Sequence, residues 1–164
     1  MKKYLAFPLL LAVFACTAAF GQTSDAEAEA IVNLLGIQKK EAMRQLIAVS
    51  KKDSVAFWKI YDEYQALNKK EAKNRIQLYE RTAMAYANMT PAVADSLATK
   101  YFANRMDQEK ELEVFYKKIK ASTNSILAFQ FYQAEIYMLT QIRAQIMNQI
   151  PAYGELVMAA RQKK

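Results

Sequence analysis

Apolar positions recur along this chain at intervals of three and four rather than two, the spacing of helices that bury one stripe. A first helix is predicted over 26–49, with Ile31, Leu34, Leu35, Ala42, Met43, Leu46 and Ile47 on the stripe and Gly36 expected to break or weaken it midway. Lys51-Lys52-Asp53-Ser54 reads as a polar hinge in which Asp53 or Ser54 caps the next helix. That second helix should reach about Ala87, since Phe57, Ile60, Tyr64 and Leu67 repeat at helical spacing and Ile76, Tyr79, Ala83 and Tyr86 follow. Thr90 and Pro91 then start a third helix over 91–120, as N-cap and first helical residue. Val93, Leu97 and Tyr101 carry its stripe at one end, and Leu112, Phe115 and Ile119 at the other. The stretch 104–111 between them is nearly all polar, so it is expected to be solvated or to cross a partner helix only at its ends. A capping turn at 122–125 leads to a fourth helix over 126–149, apolar around most of its circumference and therefore expected to be buried by its neighbours. Pro151 and Gly154 stop it.

Three Gly and three Pro are too few to punctuate a β-sandwich. The fold class expected is all-α: an elongated four-helix, hairpin-like fold of long antiparallel helices. Helices of about 25–35 residues extend ~38–52 Å. A compact domain of this size has a gyration radius of only ~15 Å. Arms that long predict a curved homodimer. With 53% hydrophobic and 24% charged residues, the chain has the mixture of a folding protein.

The N-terminus reads as an address. Lys2 and Lys3 precede an apolar run over 5–19, and Ala19-Phe20-Gly21 sets small residues for cleavage before Gln22. This divides the chain into a signal peptide at 1–21, a flexible arm or frayed first helical turn at 22–30, a helical domain at 31–155 and a basic tail at 156–164. Periplasmic delivery follows. Val13-Phe14-Ala15-Cys16 is a degenerate lipobox, which leaves a lipid anchor at Cys16 as the alternative processing. Integral insertion is not expected, because Gln130, Gln133, Glu135, Gln141 and Arg143 would each be costly in hydrocarbon.

Cleavage leaves 21 basic against 16 acidic residues. Export removes nucleic acid from the candidate partners and leaves acidic or unfolded polypeptides, anionic lipid and lipopolysaccharide. The chain has no His and one Cys, which excludes Ser-His triads and the usual zinc sites. Asp107, Glu109, Glu111 and Glu113 alternate around a helix beside Arg105, Lys110 and Lys117, so they read as a solvated charged face rather than a metal site. The eight Met lack Met-x-x-Met spacing and read as core filling rather than copper ligands. No enzyme activity and no cofactor are expected. Ten Tyr exceed what a small core needs, and Tyr suits surfaces that are half wet. With the neighbouring cations, Lys69, Lys73, Arg81, Lys110, Lys117, Lys118, Tyr64, Tyr79 and Tyr116 form the candidate client-binding surface.

Met89-Thr90-Pro91-Ala92-Val93 keeps the Thr of an LTxxQ helix start without its Gln, and Ser122-Thr123-Asn124-Ser125-Ile126 keeps the Thr alone. Phe131-Tyr132-Gln133-x-Glu135, Ile142-Arg143 and Gln149-Ile150-Pro151 look like the last helix of Bacteroidetes-type exported relatives. On these segments the chain resembles the Spy/CpxP-like LTxxQ family of periplasmic helical proteins. The resemblance implies a curved antiparallel dimer whose concave face holds unfolded clients without ATP, with a stress-response role. The alternative is a regulatory adaptor that docks on an envelope stress sensor.

Overall fold

A computed structural model describes residues 25–148. The expected signal peptide, Cys16, Pro151, Gly154 and the basic tail lie outside the described residues. Four helices follow one another: α1 (Asp25–Leu46), α2 (Lys51–Ala85), α3 (Pro91–Ser122) and α4 (Ser125–Asn148), with a 3-10 turn at Tyr86–Asn88 after α2. Among the described residues there is no strand, and no helix is long and apolar enough to cross a membrane.

Local chemistry sets the helix ends. Ser50 caps α2: its hydroxyl accepts the Asp53 amide hydrogen at 3.3 Å and donates to Asp53 Oδ2 at 2.8 Å. The cap thus lies before the predicted hinge residues, and 51–54 form the first turn of the helix. Thr90 caps α3 by accepting from the Val93 amide at 3.3 Å, with Pro91 directly inside. Asn124 Oδ1 accepts from the Leu127 amide at 2.9 Å and so starts α4. Two expectations are corrected in α1. The arm predicted at 22–30 is helical from Asp25, and Gly36 interrupts nothing. A lone Gly in a helix costs about 1 kcal/mol relative to Ala, less than tertiary packing supplies.

The helices form a bundle in which each packs on its chain neighbours and α1 also meets α4. Pairing between α2 and α3 is antiparallel: Tyr64 meets Phe115, Asn68 meets Glu111 and Tyr79 meets Tyr101. Likewise α1 runs against α2, with Arg44 beside Trp58, Lys40 beside Asp62 and Gly36 beside Gln65. The core is aromatic. Phe131 of α4 receives Phe57, Tyr61 and Tyr64 of α2 edge-on at 6.5, 6.2 and 5.4 Å between ring centroids. Met43, Leu112 and Ile119 close around them, fully buried.

Two packing expectations change. The polar middle of α3 is neither fully solvated nor empty of contacts, because Gln108 is buried and Glu111 reaches Asn68 of α2. And α4 is not enclosed: Ile126, Phe129 and Tyr137 stand on one exposed flank with Gln130, Gln133 and Thr140. Leu127, Ala128, Phe131, Ala134 and Met138 fill its core side, and three neighbours leave the opposite side uncovered.

Candidate functional site: a buried polar centre beside a cationic cavity

Glu135 lies on the core side of α4, in register with Phe131 and Met138, and is fully buried. An isolated carboxylate in such a place would be prohibitively costly, so its partners decide its presence. Lys39 of α1 reaches Oε2 at 2.8 Å. The Tyr64 hydroxyl donates to the same oxygen at 3.0 Å, and the Tyr61 hydroxyl donates to Oε1 at 3.1 Å. Gln65 Nε2 in turn donates to the Tyr61 oxygen at 2.8 Å. Burial, reinforced by the Glu135 charge, pushes both phenols far above their ordinary range, so they stay donors.

A second polar rung lies further along α2. Asn68 Nδ2 donates to Glu111 Oε2 at 3.1 Å, and its Oδ1 accepts from Arg75 Nη2 at 2.9 Å. Desolvation lowers the Arg75 guanidinium from its ordinary value and raises the Glu111 carboxyl. Nη1 of Arg75 is buried and has no hydrogen-bond partner among the described residues. A third rung, Thr82 and Tyr101, joins α2 to α3 at 2.8 Å.

Beside these rungs α1, α2 and α4 line an open-sided cavity of about 340 Å³, to which Gln108 of α3 also contributes. Val32, Ile37, Ile76, Leu139 and Ile142 make its walls apolar, and Lys39, Lys40, Lys69, Arg75 and Arg143 line it with positive charge. Asp62 is the lining carboxylate, and it is paired with Lys40. Gly36 also lines the cavity, and a Cβ there would meet nothing within 4 Å.

The nine residues expected to form one client surface are scattered. Tyr64 is fully buried and Tyr79 is 8% exposed, so both belong to the interior. Their helical spacing serves the core, and the Tyr64 hydroxyl is consumed by Glu135. Tyr116 is half-buried against the core. Lys69 lines the cavity, Lys73 is half-buried and Arg81 is exposed on α2. Lys118 is 3.5 Å from Glu63 and lies over the Phe115 ring. Lys110 and Lys117 are exposed on the outward side of α3, pairing with Asp107 and Glu113. Phe102 and Met106, 67% and 57% exposed, share that outward side and were not among the expected residues. Their spacing of four, continued at Lys110, is the signal that links them.

The polar centre was also missed from the sequence. A single carboxylate at a core position of an apolar helix, as Glu135 is relative to Leu127, Phe131 and Met138, is the signature that identifies it. Among the described residues no group of three His, Cys, Asp or Glu is placed to hold a metal ion. Comparison with known proteins finds no matching family model, no matching curated protein and no matching solved structure.

Proposed function

We propose that this chain is an exported, periplasmic holdase that works without ATP and binds unfolded or aggregation-prone polypeptides. The observation that carries the reading is the outward side of α3, where exposed Phe102 and Met106 stand in line with the exposed cations Lys110 and Lys117. The likeness to Spy/CpxP-like helix starts supports the same reading. Covering one such side chain yields roughly 2 kcal/mol. Two of them therefore give about 4 kcal/mol, which corresponds to millimolar binding. Lysines add long-range attraction for acidic segments, since their ion pairs are exposed and readily exchanged. A client held this weakly dissociates as it buries its own apolar surface, with no nucleotide needed.

Shape and assembly belong to the proposal. Helix α2 has 35 residues and α3 has 32, against 22 and 24 for α1 and α4. At 1.5 Å per residue the longer pair exceeds the shorter by roughly 12–20 Å. The excess forms an elongated two-helix tip carrying exposed Met84, Met89 and Val93. The flank of α4 with Ile126, Phe129 and Tyr137 has no charge in its line and suits pairing with a second copy into a curved dimer.

Light scattering of an aggregating client tests the reading. The protein should suppress aggregation at equimolar ratio, and Phe102→Ser with Met106→Ser should weaken suppression several-fold without moving the unfolding midpoint. No suppression by the wild-type protein overturns it. Capture from envelope extracts of a single dominant membrane partner, with no general suppression, would favour the regulatory adaptor instead.

A further inference from the structure

We propose that the cavity between α1, α2 and α4 is a binding site for one long-chain carboxylate, with the hydrocarbon along the apolar walls and the carboxylate at Arg75 and Arg143. Three observations support this independently of the holdase reading.

Shape comes first. The lining on α2 runs from Asp62 to Tyr79, a length of about 25 Å at 1.5 Å per residue. A volume of about 340 Å³ spread over that length makes an elongated cleft at the small end of ligand sites. An unbranched alkyl chain suits a cleft of this elongated form.

Wall chemistry comes second. Val32, Ile37, Ile76, Leu139 and Ile142 offer branched aliphatic contact and no hydrogen-bonding group of their own, which matches methylene groups better than a peptide backbone.

Charge comes third. Lys39 is committed to Glu135 and Lys40 to Asp62. Arg75 lines the cavity while its unpartnered Nη1 stays closed to solvent, and Arg143 has no ion-pair partner among the described residues. Glu135 of α4 bonds to Tyr64 of α2, and these two helices run in the same direction. Eight residues further on, Arg143 therefore lies level with residue 72 of α2, within about one turn of Arg75 along the bundle axis. Glu111 and Glu71 bias Arg75 electrostatically, yet Asn68 intercepts Glu111 and neither carboxylate engages Nη1. A carboxylate is the planar acceptor that a guanidinium fork fits.

Isothermal titration calorimetry of the purified protein, below the micelle concentration of each probe, tests the site. Dodecanoate should bind at one per chain, and dodecyltrimethylammonium, with the same tail and opposite charge, at least about tenfold more weakly. Arg75→Gln and Arg143→Gln should each weaken dodecanoate about tenfold. Gly36→Leu, which fills the cleft from a position where added atoms meet open space, should abolish binding while helicity holds and the urea midpoint does not fall. Equal affinity for the two amphipaths, full binding by Gly36→Leu, or no heat with dodecanoate would each overturn the proposal. Holdase activity is read in a separate assay, so failure of one proposal is distinguishable from failure of the other.

Discussion

The Glu135–Lys39 pair allows a stability prediction in which two damaging substitutions nearly cancel. Removing one partner of a buried ion pair costs about 3–5 kcal/mol. Glu135→Gln keeps an oxygen for Lys39 and Tyr64 but strands the ammonium, which is buried with 9% of its side chain exposed, so the lower figure applies. Lys39→Met leaves a fully buried carboxylate with only two phenols, at a cost of about 3 kcal/mol. With both changes present, the carboxamide oxygen accepts from Tyr64, its NH₂ donates to the Tyr61 oxygen, and no charge is buried. The double variant should lose only about 1 kcal/mol. Urea unfolding at neutral pH, followed by far-ultraviolet circular dichroism, reads this directly. With a slope of about 2 kcal/mol/M, each single variant moves the midpoint by ~1.5 M and the double by ~0.5 M. A double variant that loses the sum of the two singles would refute the reasoning, since the pair would then contribute nothing as a pair.

Three further outcomes are expected. Gly36→Ala should stabilise by about 0.8–1 kcal/mol in the same assay, because the helix gains a better former and the new Cβ meets nothing; a loss would show that the cavity wall is closed there. Tyr61 and Tyr64 are held protonated above their ordinary value of about 10 by burial and then by Glu135, while the unfolded chain ionises near that value. Their contribution to stability is therefore fully present below about pH 10 and is lost as pH rises beyond it, so their phenolate absorbance should appear together with loss of helicity. Burial raises Glu111, so the folded state keeps that proton to a higher pH than the unfolded chain. The stability this supplies is present below its ordinary pKa of about 4.3 and fades as pH climbs through the folded value. Glu111→Gln, which retains an acceptor for Asn68, should flatten that slope in urea midpoints measured across mildly acidic pH.

Helices were legible wherever short-range chemistry acts. Thr90-Pro91 marks a start that needs no tertiary information, and the stripe Leu112–Phe115–Ile119 faces the core as its spacing predicts. Gly36 misled because a local penalty of about 1 kcal/mol is small beside packing. Tyr64 and Tyr79 misled for another reason: a tyrosine is indifferent to burial once its hydroxyl has a partner, and the partner of Tyr64 lies 71 residues away. The centre at Glu135 depends on three helices meeting, and no interval along one helix reports that. Arg75 reads in sequence as one more exposed cation, and only the bundle reveals its unpartnered nitrogen.

The polar rungs also restrict how the helices can slide. Apolar ridges repeat every turn, so α2, α3 and α4 could in principle pack one turn out of step with little change in greasy contact. A slip of about 5.4 Å would carry Glu135 away from Lys39 and both phenols, and Glu111 away from Asn68. The slip leaves Glu135 a naked charge in hydrocarbon surroundings and strips buried Asn68 of its acceptor, so the ladder acts as a key that admits a single alignment of the rods.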